Sequence, residues 1–387
     1  MQRGPVVGEC LAMCSPEEVR SRQELKDISR FESPPSSAAQ QSKGDASWAV
    51  KKYRRPAAGR LDIDASDLRP PRVLCETLDH LFTHVLPWPG HGFDWKTTSG
   101  SVHDFLGLYH FLNDRVRAVR QDFVVQRVRD RSRAVALVQI ARFYVVASFR
   151  ALQVIEDTRD KTLDWSETLN DQQLASALTE VHALYPSAAD ETLDADSLHE
   201  EAVAYDVLLH LRDPRAVSLL MLKVPFLLRR RDAMGRVLAL FVAFHTGDTF
   251  RYLRLFRELP VVQQCLALRH LPIVWAARMR HMNKAYGKMD RFELSEIAAS
   301  VGLPSGDDAR LLCTAMNIHI EDEAPPGIMD SDSWEGVSCK GYAKFKITAI
   351  RDQLEVDVER TLLRRTAMSI QKELLQRSAV TTWMKES

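Results

Sequence analysis

The chain has 387 residues, 45% hydrophobic and 27% charged, and its 52 basic side chains are balanced by 52 acidic ones. Such a composition suits a folded protein large enough for more than one core and excludes wholesale disorder. Zero net charge excludes a general electrostatic pull toward nucleic acid or membrane. Six scattered cysteines form no Cys-x-x-Cys pair, and no apolar run reaches the length of a membrane span. The expectation is a soluble, intracellular chain with reduced thiols, no membrane partner and no secretory leader.

Residues 1–70 carry little apolar periodicity and are rich in Ser, Pro and Ala, which predicts an N-terminal arm with a flexible linker. Its one predicted helix runs from Ser15 to Arg30, with Ser15 as cap, Pro16 in the first turn, and Glu17 and Glu18 at the positive helix end. Residues 71–286 read as an all-α stack of helix pairs, TPR-like in pairing but without a fixed period. The predicted helices are 72–85, 102–133, 134–156, 171–185, 198–211, 215–230, 234–244, 249–259 and 262–286. Residues 287–350 change character. A short helix from Leu294 closed by Gly302, a second from Asp307 to Met316, and strands at 318–320, 336–339 and 343–347 with a turn at Gly341 predict a small winged-helix module. Residues 351–387 are expected to form a C-terminal helix and tail, with Leu354, Val358, Leu362 and Leu363 docking on the chain's own core.

Charge is segregated along this order. Residues 107–150 hold nine basic and three acidic side chains, and 156–206 hold two basic and fourteen acidic. The alternation repeats at 212–257, with ten basic and three acidic, and at 290–335, with two basic and eleven acidic. Within the first block, residues 111–133 place seven arginines and three aspartates on what reads as one unbroken helix. Arg117, Arg120, Arg127 and Arg131 share a quarter of its circumference. Such a row can grip an anionic partner through its planar donors, or pair with carboxylates inside its own chain. Asp114, Arg115, Arg117, Arg120, Gln121 and Asp122 read first as a buried polar seam. Arg127, Arg129, Arg131 and Arg133 are the better candidates for an exposed anionic contact, joined by Lys51, Lys52, Arg54 and Arg55 and by the wing lysines Lys340, Lys344 and Lys346. The second helix of the winged module begins Asp307-Asp308, which repels phosphate, so that module is expected to dock protein.

No pattern of residues carries catalysis. His80 and His84 share a helix face but lack the intervening glutamate of a metalloprotease, and Cys10 and Cys14 have no second ligand pair downstream. Asp62, Asp64 and Asp67 fail as a calcium loop, since its sixth position is not glycine and its twelfth, Val73, is not glutamate. Neither a phosphate loop nor a nucleophile elbow is present. No metal, no cofactor and no enzymatic activity are expected.

The N-terminal run Gly8-x-Cys10-x-x-Met13-Cys14-x-Pro16-Glu17 with Arg20 and Phe31-Glu32, and the basic run Val50-Lys51-Lys52-Tyr53-Arg54-Arg55, resemble blocks of the Sac-three/GANP domain family. So do Asp67-Leu68-Arg69-Pro70-Pro71, the unit Phe111-Leu112-x-Asp114-Arg115-x-Arg117-Ala118-x-Arg120-Gln121-Asp122-Phe123, and Gly247 to Phe256. The resemblance covers roughly residues 8–350. It implies a PCI-like helical stack ending in a winged helix, serving as a non-enzymatic scaffold. In long members it implies messenger-RNA export with a second PCI-domain subunit, a small acidic subunit and RNA. The chain looks most like the short metazoan form, which implies centrosome duplication and mitotic progression, with centrosomal protein partners and a place in the cytoplasm, cytoskeleton, centrosome and spindle, the nucleus being the alternative.

Overall fold

The computed structural model describes residues 6–34, 44–55, 64–87, 92–95, 97–156, 160, 162–185, 196–287, 290–321, 342–344, 351 and 353–377. Two units result: Met1–Val203 with Arg377–Ser387, and Ala204–Gln376. The boundary between them falls within helix α6 (Ser197–Leu209), inside the stretch 71–286 read from the sequence as a helical stack.

In the first unit, α1 (Pro16–Glu24) is capped by the Ser15 side chain, which accepts from the Glu18 N–H. It stops short of the predicted Arg30, because Lys26 turns into the left-handed region at φ +54°. Helix α2 (Pro71–His80) runs on into a wider turn, Leu81–Val85, and the short hairpin β1 (Phe93–Asp94) and β2 (Ser99–Gly100) follows. Helices α3 (Val102–Val125) and α4 (Arg131–Val154) are two, where the sequence suggested an unbroken helix to Arg133. Gln126 closes α3, Arg127 adopts φ +54°, and Asp130 starts α4 by accepting the N–H groups of Ser132 and Arg133. An Asp capping a new helix outweighs the continuous pattern around it. The predicted single face of Arg117, Arg120, Arg127 and Arg131 is lost with the break.

Helix α4 is buried on nearly every side, from Leu137 and Ile140 to Phe143, Val146 and Phe149. By length and composition it is apolar enough to cross a membrane, yet most of it lies inside the fold. That is the signature of a core helix. It packs along α5 (Glu167–His182). Beside them an aromatic cluster closes the core, with Trp95 stacked on Phe105 at 5.7 Å and Tyr109 edge-on to Trp165 at 4.8 Å.

The second unit contains α7 (Pro214–Lys223), α8 (Phe226–Arg229), α9 (Asp232–Thr246), α10 (Thr249–Glu258), α11 (Val261–Ala267) and α12 (Leu271–Ala285). Two predicted helices are split here. Pro225 ends the run expected over 215–230, since the residue before a proline avoids helical backbone. The run expected over 262–286 passes through a tighter turn at 268–270, just before Pro272. After β3 (Arg291–Glu293), which the sequence pattern missed, come α13 (Leu294–Val301) and α14 (Gly306–Ala315). Gly302 closes α13 at φ +76°, and Ser305 caps α14. Strands β4 (His319–Glu321) and β5 (Tyr342–Lys344) complete an antiparallel sheet in the order β3-β5-β4, with Phe292 and Ile320 both opposite Ala343. The strand expected at 336–339 lies outside the described residues. Helix α15 (Val356–Arg377) buries Leu362, Leu363 and Ala367, and Arg365 pairs with Asp308 of α14 at 2.7 Å.

A buried histidine makes part of this unit sensitive to pH. His270 Nδ1 faces the Arg212 Nε–H at 3.3 Å, and its Nε2 faces the Leu208 carbonyl at 2.8 Å. Arginine only donates, so Nδ1 accepts and Nε2 carries the proton. Burial, helped by the charges of Arg212 and Arg269 and opposed by the Leu208 bond, pulls the His270 pKa down to about 3. The unfolded chain then takes up a proton first as pH falls, so the contribution of His270 is intact above about pH 6.5 and declines toward pH 3. His270→Gln keeps the donor to Leu208 and should flatten the slope of unfolding free energy between those limits, read from urea midpoints measured as a function of pH.

Candidate functional site

The conspicuous polar feature of the first unit is a buried seam where residues of the N-terminal arm lie along α3. Three arm segments are laced together by backbone bonds: Glu9 to the Ala65 carbonyl at 2.8 Å, Cys10 to Leu68 at 2.9 Å, and Lys51 to Met13 at 3.0 Å. The Gly8 N–H donates to Gln126 Oε1 at 2.8 Å, while Gln126 Nε2 donates to the Arg69 carbonyl at 2.8 Å. A Cβ at Gly8 would stand 2.5 Å from the Leu68 oxygen, so this close approach needs glycine. The described part of the arm is thus built into the fold. Cys10, Cys14, Phe31 and Val50 are all buried.

Two carboxylates hold the seam. Glu32, 1% exposed, accepts from Arg22, from Arg115 at 3.2 Å, and from the N–H groups of Ser29 and Val50 at 2.8 and 2.9 Å. Burial alone would push its pKa up, but the Arg22 bond, the Arg115 charge and the Val50 bond together hold it below the usual carboxylate range. Asp122, also 1% exposed, takes Lys51 at 2.9 Å and Arg69 at 2.8 Å. Around them Asp114 accepts from Arg115 and from the Tyr53 N–H, Arg117 stacks 3.9 Å over the Tyr53 ring, and Gln121 donates to the Arg54 carbonyl at 3.0 Å. Glu32 and Arg69 were legible only as parts of runs with no assigned role, and Arg22 and Gln126 carried no signal in the sequence.

Four further arginines meet the acidic segment that follows them. Arg120 contacts Glu180 at 2.5 Å and Ser176 at 2.6 Å, and Arg133 reaches the same Glu180 at 2.8 Å. Arg131 pairs with Asp196 at 2.8 Å, and Arg142 grips Glu201 with two bonds of 2.6 Å. Arg133, read from the sequence as an exposed contact, is instead turned into the fold. Of the other candidates, Lys52 binds Asp27 at 2.7 Å and Arg54 approaches Glu18 at 3.6 Å. Arg55, Arg127 and Arg129 are exposed. Lys340 and Lys346 lie outside the described residues, and for Lys344 only the backbone in β5 is described.

Nucleophilic and metal-ligating groups fit structural roles. Burial first, then the nearby Glu18 charge, pushes the Cys14 thiol up to about 12, so it stays protonated and inert. His80 stacks against His84 at 5.5 Å and lies tilted against Trp48 at 5.4 Å, and burial with the His84 charge pulls its pKa down to about 4. Among the described residues no group of three or more His, Cys, Asp and Glu side chains is placed to hold a metal ion.

The family model described as the SAC3/GANP family matches residues 13–322, from inside the arm to the end of β4. The chain belongs to the SAC3/GANP family. SAC3 family protein 1 of Schizosaccharomyces pombe is 28% identical over 219 residues, which cover 54% of this chain and 18% of that protein. SAC3 family protein B of Arabidopsis thaliana is 24% identical over 316 residues, 79% of this chain and 17% of its own. This SAC3/GANP chain therefore spans less than a fifth of the length of these relatives. Their names give a family and no reaction.

Removing a carboxylate that holds two buried guanidinium groups should be costly. Glu32→Ala should destabilise the SAC3/GANP chain by about 3–5 kcal/mol, whereas Arg129→Ala on the exposed turn should stay within about 0.5 kcal/mol. Because the folded pKa of Glu32 is depressed, its stabilisation is present above about pH 4.5 and is lost as pH falls below it. Denaturant unfolding at pH 7 and pH 3 checks both statements.

Proposed function

We propose that this SAC3/GANP chain is a non-enzymatic helical scaffold for cell division, working at the centrosome and spindle through contacts with proteins. The observation that carries the reading is the internal use of the basic row. Arg120 and Arg133 of the row meet Glu180, Arg131 meets Asp196, and Arg142 beyond the row meets Glu201, so part of that positive charge is matched by acid of the same chain. The cellular assignment rests on resemblance to the short form of the family. Its partners on this reading are centrosomal proteins and a second PCI-type subunit with a small acidic companion. The segment β3-α13-α14-β4-β5 supplies a winged-helix docking module, and the acidic start of α14 disfavours phosphate there.

A second reading, an RNA-binding subunit in messenger-RNA export, is favoured by one observation, the exposure of Arg55, Arg127 and Arg129. Salt separates the two. Three phosphate contacts to single-stranded RNA give a log–log salt slope of about −2, and the scaffold reading expects weak binding with a shallower slope in fluorescence anisotropy. A steep slope abolished by Arg127→Glu with Arg129→Glu would transfer the assignment to export. In dividing cells a tagged chain should concentrate at spindle poles. Absence from them would remove the centrosomal role.

A further inference from the structure

Helix α7 turns apolar side chains outward that its own core does not use. Val217 faces inward at 3% exposure, with Val224 just past the helix end at 1%, whereas Leu219 and Leu222 on the opposite side are 61% and 73% exposed. The pattern continues across the Pro225 break, where Phe226 and Leu227 of α8 are 50% and 51% exposed. Four large apolar side chains within nine residues make a contiguous stretch of a kind that marks a docking surface rather than scattered surface leucines.

Charge selects the occupant. From Arg215 to Arg231 the chain carries five basic side chains, Arg215, Lys223, Arg229, Arg230 and Arg231, and no acidic one. The guanidinium groups of Arg229 and Arg230 flank the Phe226 ring at 5.8 and 5.4 Å from its centroid, so charge borders the apolar anchors directly. Arg215, Leu219 and Leu222 stand at i, i+4 and i+7 on one face of α7, the spacing that interleaves with the ridges of a second helix. An apolar stripe with a cationic border repels basic surfaces and leaves a polar neutral helix without compensation for the desolvated arginines.

We propose that the outer face of α7 and α8 docks an amphipathic helix of a partner protein, one whose apolar stripe is flanked by Asp and Glu. Leucines of that helix seat against Leu219, Leu222 and Phe226, and its carboxylates meet Arg215, Lys223 and Arg230. The assignment rests on the reading of the chain as a protein-binding scaffold and names the chemistry of one partner surface.

The probe is a synthetic peptide of about 18 residues, long enough to hold a helix, with leucines on one face and glutamates beside them. Its binding to the purified 387-residue chain is read by fluorescence anisotropy. It should bind measurably, at least about tenfold more tightly than a peptide of the same composition permuted to scatter the leucines, and more tightly than the lysine-for-glutamate version. Leu222→Asp should weaken it at least about tenfold, and Arg230→Glu should weaken it and lower its salt dependence. Both positions are exposed, so the melting temperature of each variant should match the parent, and a folding defect in one leaves the other to decide. Equal binding of the permuted or lysine peptide, or indifference to both substitutions, overturns the proposal. Peptide binding without spindle-pole localisation sinks only the cellular reading, and localisation without peptide binding sinks only this face.

Discussion

Everything in the first unit depends on two carboxylates that water does not reach. Glu32 and Asp122 are each 1% exposed, and an ionised carboxylate taken out of water is costly unless cations and N–H donors replace the lost hydration. Neither residue finds its cations on its own segment alone. Glu32 needs Arg22 of α1 and Arg115 of α3, and Asp122 needs Lys51 and Arg69 from two further stretches of the arm. Each site therefore closes only when segments distant in sequence are in place together. The geometry discriminates between arrangements rather than merely adding stability, because a shifted register would leave charges buried without compensation.

The same logic operates less stringently between α3, α4 and the acidic segment after them. Glu180 serves Arg120 and Arg133 at once, and at roughly a fifth exposed it is screened more than Glu32 is. Arg131 and Asp196 are more open still on the arginine side, where such a pair contributes little. A gradient follows, from buried pairs that fix the packing to half-exposed pairs that set which layer meets which. Segregating basic and acidic residues into successive blocks makes that matching specific without creating net charge.

Much of this was legible in the sequence, and the failures have physical causes. Helical periodicity located the helices because their buried faces recur at 3.6 residues, and the block count of charges anticipated that the row would find acid within its own chain. The break at Arg127 was missed, since neither proline nor glycine marks it. The stop is made by Asp130 capping a new helix, a local event that arginines on either side conceal. The split at Pro225 was signalled and overridden by apolar periodicity that continued beyond it. The sequence pointed to a polar unit in Asp114, Arg115 and Asp122 but not to its partners, and Arg120, included in that unit, turns instead to Glu180. Glu32 and Arg69 lie too far away in sequence for spacing to connect them with Asp122 and Arg115, and only the fold brings them together.

The linker expected in the arm lies largely outside the described residues, and the described part of the arm bears on where this family's domain begins. Serine, proline and alanine without periodicity describe a segment that buries little as a helix or strand, yet they say nothing of a segment held by its backbone. Gly8, Cys10 and Lys51 are fixed by main-chain bonds, and Arg22, Lys51 and Arg69 by charge, none of which has a period. A domain drawn from residue 71 would leave Arg115 with Asp114 but without Glu32, and would leave Asp122 without both of its cations. The family model instead starts at Met13, inside the arm. The described part of the arm is therefore packed into the first unit, and α3 cannot be buried as it is without it.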